Sequence, residues 1–461
     1  MQTEKQKRSR TARSVLGLMI VGAYISAGQT FQTLVNFDGS NGANPGYMTM
    51  IQGADGGLYG TTQNGGTNGL GTVFRLNQAG TFTLVHSFSG SDGSYPEAGL
   101  LLGTDGFLYG TTGGGTVFRM TPKGALLTLA DDVGGEPTGP LVQSAGSLYG
   151  LTFFGGAGAG SFYEVTPGSG VSTVYDFPAD GSGGQNPNNG LVQDATGNFY
   201  GTTEYGATNG CGVIFKITPA GVPTISHYFT RSSNPPDGCN PLGTLVLAND
   251  GKFYGVTPGG GTYGYGTVFS IDAAGNFTTI YSFMGGVDGA EPRSGSLALA
   301  NDGNLYGTTS LSGDHNCGTI FKISLAGNLT PLYQFNPANP ANVDGCDSEG
   351  GLLQATNGVV YGSTWRGGAN SLGTIFSLNV GLPPLVKTVP AMGRVGTSVM
   401  ILGTNLAEAT GVTFNGVPAS FTVASRFLIN TAVPTGAPSG VVKVTVPAGT
   451  LRTVVRFIVT P

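Results

Sequence analysis

The fold of this chain is decided by a stretch that reads Leu305-Tyr306-Gly307-Thr308-Thr309 and, after a loop, Gly318-Thr319-Ile320-Phe321. The stretch recurs seven times, with its Tyr-Gly pairs at Tyr59, Tyr109, Tyr149, Tyr200, Tyr254, Tyr306 and Tyr361. Successive tyrosines lie 50, 40, 51, 54, 52 and 55 residues apart. A period of this size indicates a repeat architecture.

Each repeat contains four short strand-like runs. In the second repeat these runs are Gly99–Leu102, Phe107–Gly110, Gly115–Met120 and Leu126–Leu129, and we call them strands a, b, c and d. Asp-Gly, Asn-Gly and Ala-Gly pairs at the a–b and c–d joints are typical of hairpin turns. A four-stranded meander that repeats every 40–55 residues predicts the blades of a β-propeller.

The composition agrees with a folded, all-β protein. The chain of 461 residues has 82 Gly and only 10% charged residues, but 39% hydrophobic residues supply a core. The length exceeds one ordinary core, so repeats or several domains are expected. The glycines recur in register with apolar pairs, as turns between short strands require.

The seventh repeat has no strand d after its strand c, Gly373–Leu378. The N-terminal run Phe31–Phe37 resembles the strand-d runs Phe82–Phe88 and Phe277–Phe283. We therefore predict a seven-bladed β-propeller over residues 29–380. In it the N-terminal strand completes the last blade, closes the ring and removes an exposed sheet edge.

Residues 1–28 have the three-part layout of a secretory signal. The apolar run Val15–Ile25 is followed by the small residues Ser26–Gly28, and it is preceded by Lys5, Lys7, Arg8, Arg10 and Arg13. We predict cleavage near Gly28 or Gln29. The alternative is an uncleaved membrane anchor, for which the run is short. No later stretch is apolar enough to span a bilayer, so no stable membrane span is expected after cleavage.

Cleavage would leave 15 Lys and Arg against 24 Asp and Glu, a net charge of −9. Binding to a phosphate backbone requires clustered Lys and Arg. This sparse acidic surface argues against nucleic acid as a partner.

The period ends after Leu378, and a second domain follows. Residues 381–384 form a short Pro-rich linker, and residues 385–461 contain short alternating runs such as Val399–Gly403 and Val441–Val446. Short alternating strands separated by turns predict a small immunoglobulin-like β-sandwich.

Both parts resemble known families. Over residues 31–380 the recurring Leu-Tyr-Gly-Thr-Thr and Gly-Thr-Val/Ile-Phe motifs resemble the GloVer tandem repeats of bacterial exported proteins. In that family, varied C-terminal anchoring modules follow the repeats. The resemblance implies an exported or surface-associated protein and no defined activity. The tail is similar to an IPT/TIG domain through Pro390, Gly393, Gly396-Thr397, Gly403–Leu406, Val412–Gly416 and Gly440.

The four cysteines form two copies of one pattern. Cys211 and Cys317 stand directly before strand c of the fourth and sixth repeats, and Cys239 and Cys346 follow strand d, 28 and 29 residues later. Since the b–c loop and the d–a connection of a meander emerge on the same face, we predict the disulfides Cys211–Cys239 and Cys317–Cys346. The alternative, a metal site, would need four thiolates, or thiolates and His, in one place.

The three histidines offer little chemistry. His86 and His227 stand two residues before the last Phe of strand d, where other repeats have Tyr, so a structural role is expected. His315, beside Asp314, is a weak candidate for binding or catalysis.

The d–a connections predict a polar ring around the mouth of the propeller. Most carry Asp-Gly and then a Pro before strand a. One interpretation is turn chemistry, in which Asp and Asn bond to nearby backbone. The other is a ring that binds sugar hydroxyls or a cation, for which calcium suits the oxygen ligands; no other cofactor is indicated. The residues before the Pro or its equivalent are Asn44, Tyr95, Glu136, Asn186, Asn240, Glu291 and Asp347.

Aromatic residues on the b–c loops share this face. Exposed aromatic rings stack on sugars, and the alternative is that they pack over neighbouring loops. The candidate binding residues are therefore Trp365, Arg366, Tyr205, Phe154, Tyr263, Glu136, Glu291 and Asp347, with no catalytic residue or metal ligand assigned.

These observations predict a secreted, periplasmic or cell-surface protein that is a non-enzymatic binding, adhesion or scaffold protein. Its partner would be a polysaccharide or a cell-surface protein, held by the loop face. The alternative is a polysaccharide lyase or glycoside hydrolase that uses carboxylates at the mouth. Such an enzyme needs a non-repeated cluster of acid, base and substrate-positioning groups.

Overall fold

A computed structural model describes residues 29–207, 209–231, 236–293, 295–338 and 343–461. The predicted signal segment, residues 1–28, lies outside the described residues. The described part of the chain is built from β-strands and contains no helix. Accordingly, none of its elements is a helix long and apolar enough to cross a membrane.

Between residues 30 and 379 the described strands form seven four-stranded antiparallel sheets, each in the order a-b-c-d. The first strands are β2 (Ile51–Gln52), β6 (Leu101–Leu102), β10 (Val142–Ser144), β14 (Val192–Gln193), β18 (Val246–Leu247), β22 (Ala298–Leu299) and β27 (Leu353–Gln354). The second strands are β3 (Leu58–Thr62), β7 (Leu108–Thr111), β11 (Ser147–Thr152), β15 (Phe199–Thr203), β19 (Phe253–Thr257), β23 (Leu305–Thr308) and β28 (Val360–Thr364).

The third strands are β4 (Thr72–Leu76), β8 (Val117–Met120), β12 (Ser161–Thr166), β16 (Val213–Ile217), β20 (Thr267–Ile271), β24 (Thr319–Ile323) and β30 (Thr374–Asn379). The outer strands are β5 (Phe82–Ser87), β9 (Leu126–Ala130), β13 (Gly170–Asp176), β17 (Pro223–Tyr228), β21 (Phe277–Ser282), β25 (Leu329–Gln334) and β1 (Thr30–Asn36). A small additional pair joins β26 (Gly345–Cys346) to β29 (Arg366–Gly367).

Contacts within and between the sheets explain why the Leu-Tyr-Gly-Thr-Thr motif recurs. Gly307 lies opposite Phe321 on the neighbouring strand, and a Cβ at Gly307 would lie 2.5 Å from Phe321 Cζ. Glycine is thus the residue that leaves room for this ring. The hydroxyl groups of Thr309 and Thr319 lie 3.0 Å apart and share a hydrogen bond, and the equivalent Thr62–Thr72 distance is 2.7 Å.

The tyrosine of the same motif packs between neighbouring sheets. Tyr306 is buried in a cluster with Leu352 and Val360 of the next repeat. Its hydroxyl donates to Asp302 Oδ2 over 2.9 Å, so the aromatic body is buried while the polar end is paired.

The N-terminal strand lies in the sheet of the seventh repeat. β1 pairs antiparallel with β30, from Thr30 opposite Asn379 to Asn36 opposite Thr374. The first strands are shorter than the sequence predicts: the run Gly99–Leu102 is a strand only at Leu101–Leu102. A Cβ at Gly99 would lie 2.7 Å from Thr49 O, so this backbone lies against the neighbouring repeat instead of extending the ladder.

The tail, from residue 385 onward, consists of two four-stranded sheets and one short pair. One sheet has the order β31 (Lys387–Val389), β33 (Ser398–Leu402), β37 (Leu428–Ala432), β36 (Phe421–Ser425). The other has the order β35 (Val417–Pro418), β34 (Gly411–Phe414), β38 (Val442–Val446), β39 (Gly449–Arg452). The pair is parallel and joins β32 (Met392–Gly393) to β40 (Ile458–Val459).

The tail packs directly against the repeats. Leu402 is only 2% exposed and lies in one apolar cluster with Tyr59 and Leu108. Thr404 Oγ1 lies 2.9 Å from Thr356 Oγ1, and Asn249 Nδ2 donates to Val454 O over 2.8 Å. Because Thr356 and Asn249 lie on a–b turns, we call this side of the repeats the turn face and the opposite side the loop face.

Candidate functional site

Six of the seven residues in the predicted polar ring have a left-handed backbone. Their φ angles lie between 52° and 65° and belong to Asn44, Tyr95, Asn186, Asn240, Glu291 and Asp347. Asparagine tolerates this conformation better than most residues, which accounts for its recurrence at this position.

The three asparagines also join neighbouring repeats. Asn44 Nδ2 donates to Trp365 O over 3.2 Å, Asn186 Nδ2 to Phe153 O over 3.0 Å and Asn240 Nδ2 to Glu204 O over 3.0 Å. Each acceptor lies in the b–c loop of the preceding repeat. These three side chains therefore make structural contacts between repeats, with the backbone of a neighbouring loop and not of their own turn.

A second set of equivalent positions, which the sequence did not reveal as a candidate site, lies two residues after the predicted ring residues. We call it the polar column. This column varies in charge from one repeat to the next, which was the signal available in the sequence. In the first repeat Gly46 occupies the position, and Tyr47 follows. In the fifth repeat Leu242 occupies it, and the column residues of the remaining repeats are Glu97, Thr138, Asn188, Arg293 and Glu349.

A loop-face cavity of ≈ 260 Å³ opens beside three of the column residues, Glu97, Thr138 and Asn188. It brings together three of the predicted binding residues, Glu136, Phe154 and Trp365. The remaining lining residues are Tyr47, Gln63, Glu97, Thr138, Phe153, Asn188 and Asn189. Tyr205 and Tyr263 do not line it and are 43% and 56% exposed.

The predicted residues Glu291, Asp347 and Arg366 belong to an ion-pair cluster beside Trp365. Arg293 Nη2 lies 2.6 Å from Glu291 Oε2, and Arg366 Nε lies 3.6 Å from Asp347 Oδ2. Arg293 Nη1 also lies 3.5 Å from Glu349 Oε1. Two guanidinium groups thus face three carboxylates.

Glu349 is the buried member of this cluster and is only 1% exposed. Burial, followed by the negative charge of Asp347, raises its pKa to about 7. Arg293 and a hydrogen bond from Tyr47 act in the opposite direction. Burial also raises the pKa of Asp347 and of Glu97.

Several buried polar atoms here have no hydrogen-bond partner among the described residues. They include Glu349 Oε2, Trp365 Nε1 and Thr138 Oγ1. Such atoms are rare in folded proteins, since each costs free energy that a bound group can recover. The same place offers aromatic surface, because the Trp365 ring lies 5.6 Å from Tyr47 and 5.1 Å from the Arg366 guanidinium.

The two histidines of the outer strands, His86 and His227, have structural partners. His86 Nε2 lies 2.8 Å from Asp92 Oδ2, and His227 Nε2 lies 2.9 Å from Asp237 Oδ2. Tyr281, at the same position in its repeat, donates to Asp288 Oδ2 over 3.0 Å. His and Tyr replace each other because both reach the Asp of the following Asp-Gly pair. His315 is exposed on its loop.

Both predicted disulfides are confirmed. Cys211 bonds to Cys239 and Cys317 to Cys346, each with a Cα–Cα distance of 4.5 Å. Each joins a b–c loop to the next d–a connection on the loop face. Disulfides persist in oxidising compartments, so they indicate an extracellular or periplasmic location.

In the ranges that the structure describes, no group of three or more His, Cys, Asp or Glu side chains is arranged to hold a metal ion. The calcium hypothesis therefore stays a prediction.

Comparisons with known proteins identify both parts of the chain. The family model described as Gloeobacter/Verrucomicrobia repeat matches residues 21–195, 113–298 and 223–418. The IPT/TIG domain model matches residues 384–455. No match was found among curated proteins.

Solved structures with a similar fold are propeller-like and distant in sequence. A streptogramin B lyase structure is 15% identical, with a TM-score of 0.53, over 77% of this chain and 98% of the lyase. The extracellular domain of BT3049 from B. thetaiotaomicron is 12% identical, with a TM-score of 0.52, over 94% of this chain and 58% of that chain. PorZ, a surface component of the type-IX secretion system of Porphyromonas gingivalis, is 15% identical, with a TM-score of 0.50, over 93% of this chain and 61% of its own.

Proposed function

Because the chain belongs to the Gloeobacter/Verrucomicrobia repeat family and carries an IPT/TIG domain, we propose that it is an exported, non-enzymatic binding or surface-scaffold protein. Its ligand is a glycan, and the binding site is the loop-face cavity together with the adjoining ion-pair cluster that contains Glu349 and Arg293.

The observation that carries this proposal is the set of unpaired buried atoms beside aromatic rings. Glu349 Oε2 supplies an acceptor, Trp365 Nε1 a donor and Thr138 Oγ1 both. A sugar presents hydroxyl groups that serve as both donors and acceptors, and its apolar ring face fits an aromatic side chain. A site with a few placed polar groups among aromatic walls suits such a ligand.

We also propose the finer architecture that this function requires. Residues 1–28 are a cleaved signal, residues 29–380 a closed seven-bladed propeller, 381–384 a linker and 385–461 the IPT/TIG domain. Closure is supported by matching contacts: Gln354 Nε2 donates to Asn301 of the preceding repeat over 2.9 Å. Gln52 of the first repeat donates in the same way to Thr356 Oγ1 of the seventh over 2.8 Å.

The experiment exploits the fact that Trp365 is the only tryptophan. A panel of neutral and acidic polysaccharides is titrated into the protein while tryptophan emission and binding heat are recorded. A bound glycan should shift the emission, and Trp365→Ala should weaken binding by about tenfold or more, as expected for a central aromatic contact.

Tyr263→Ala is the matched control, since Tyr263 lies outside the cavity and should leave the affinity unchanged. The proposal fails if no polysaccharide changes either signal, or if both substitutions weaken binding equally.

One observation favours a second function, a polysaccharide lyase or glycoside hydrolase. A buried carboxyl group whose pKa is about 7 is suited to general acid catalysis near neutral pH. The same panel is therefore scored for released products. Release that Glu349→Gln abolishes while binding persists would establish the enzyme; binding without release supports the first proposal.

A further inference from the structure

A second cavity lies on the turn face, between the first strands of the sheets and the tail. It has a volume of ≈ 460 Å³ and is covered by residues 387–392 of the tail. An adjoining cavity of ≈ 300 Å³ shares Leu353, Lys387, Thr388 and Ala391 with it. We call the two together the turn-face cavity.

The walls of this cavity are mainly apolar, with Ile51, Leu101, Val142, Val192 and Leu353 among them. Four glutamines also line it, and each already makes at least one side-chain hydrogen bond. Gln354 Nε2 donates to Asn301 Oδ1 over 2.9 Å. Gln52 donates to Thr356 Oγ1 over 2.8 Å, Gln143 Oε1 accepts from Thr104 N over 3.0 Å, and Gln193 donates to Ser144 Oγ over 2.9 Å.

Lys387 is the one charged residue among those that line the two cavities. Among the described residues it takes part in no ion pair; the six pairs found all lie elsewhere. Lys387 is partly buried. An ammonium group that loses part of its hydration among apolar walls without a counter-charge is unfavourable, and an anion in the cavity would offset that cost.

We propose that the turn-face cavity binds a small amphipathic anion, with its charged group on Lys387 and its apolar body along the first strands. A carboxylate on a hydrocarbon chain has this chemistry. The volume falls in the range of small-molecule sites, which are usually apolar with a few placed polar groups.

The cavity is accessible from solvent. A cleft of ≈ 740 Å³ between the a–b turns and the tail shares Thr104, Gln143, Pro390 and Met392 with it. Arg394 lies on this cleft, so the approach to Lys387 carries a second positive charge. Opposite charge along an entrance increases the rate at which an anion associates.

Burial lowers the pKa of Lys387 to about 8, so the amine is mostly protonated at pH 7. Because no other titratable side chain lines the turn-face cavity, among the described residues Lys387 alone sets the pH dependence there. The affinity for an anion should therefore fall as the pH rises through 8, whereas the affinity for a neutral analogue should not change.

The test uses the mature full chain, with decanoate as the anionic probe and decanol as its neutral counterpart, by calorimetry at pH 7 and pH 9.5. Decanoate should bind more tightly at pH 7 than at pH 9.5. Lys387→Met should weaken decanoate binding by about 30-fold, as expected for loss of one partner of a buried charge pair, and should leave decanol binding unchanged.

Two variants serve as controls. Lys387→Arg keeps the charge and should retain decanoate binding, and Lys252→Met removes an exposed lysine of an a–b turn without effect. The proposal is overturned if the native chain binds no decanoate, if it prefers decanol, or if folded Lys387→Met binds decanoate as tightly as the native chain.

Discussion

At the level of single residues, one column of the repeat changes its chemistry from repeat to repeat while the four-stranded sheet that carries it is retained. The column two residues after Glu291 and Asp347 contains Arg293 and Glu349, whereas the equivalent residues of the other five repeats are Gly46, Glu97, Thr138, Asn188 and Leu242. The repeated scaffold places these side chains at equivalent points of the loop face. Their differences make one side of that face charged and another neutral, which an asymmetric ligand requires.

The titration of Glu349 should make the free energy of unfolding depend on pH. Its pKa is about 7 in the folded chain and 4.5 as its ordinary value, so between these values the folded chain holds the proton that the unfolded chain has released. The free energy of unfolding should then fall by up to about 3 kcal/mol as the pH rises from 4.5 to 7, and stay constant above.

Urea unfolding at pH 4.5 and pH 8 measures this fall. Glu349→Gln should lack it and therefore gain stability relative to the native chain at pH 8, while Glu408→Gln, at an exposed site of the tail, should behave as the native chain does. An identical pH dependence in the native chain and Glu349→Gln would contradict the assignment.

At the level of elements, the repeated sequence motif predicted the sheets because its residues contact residues of the neighbouring strand. The Gly307–Phe321 and Thr309–Thr319 contacts both lie between strands joined by one loop, so their spacing is visible in the sequence. The cysteine pairings were predictable for the same reason, since the meander places both loops on one face.

The candidate site was only partly predictable. Glu136, Phe154 and Trp365 were identified and do line one cavity, but Tyr205 and Tyr263 stand apart from it. Loop conformation decides which aromatic residue turns inward, and a sequence pattern carries little information about that. Glu349 was missed because its importance comes from burial and from Asp347 and Arg293, whose approach depends on the tertiary fold.

The disulfides should stabilise the loop face as an element. Each closes a loop of 28 or 29 residues, which in the chain-entropy model contributes about 3–4 kcal/mol by restricting the unfolded chain. Replacing both Cys211 and Cys239 by Ser should lower the free energy of unfolding by that amount in urea. Adding a reductant should destabilise the native chain, which then loses two disulfides, more than it destabilises this variant, which loses one. Equal stability of the two proteins under oxidising conditions would contradict the prediction.

At the level of the whole molecule, the contacts between the first and seventh repeats resemble those between other neighbours. Tyr361 lies in one buried cluster with Met48, Leu58 and Phe74, as Tyr306 does with residues of the seventh repeat. Phe31 of the N-terminal strand stacks on Tyr333 of the sixth repeat at 3.8 Å between ring centroids. A strand contributed from the opposite end of the chain thus takes part in the same packing as the local strands.

Deletion of residues 29–38 tests whether this strand closes a ring. The deletion would expose the edge of β30 and the apolar surface around Tyr333, and unpaired edges promote aggregation. We expect loss of a single cooperative melting transition and a concentration-dependent increase in light scattering. A synthetic peptide of residues 29–38 added in trans should restore the transition by pairing with β30, whereas a peptide with Phe31 and Phe37 replaced by Ser should not, because it cannot fill the buried clusters. A truncated chain that melts as the native chain does would refute closure by this strand.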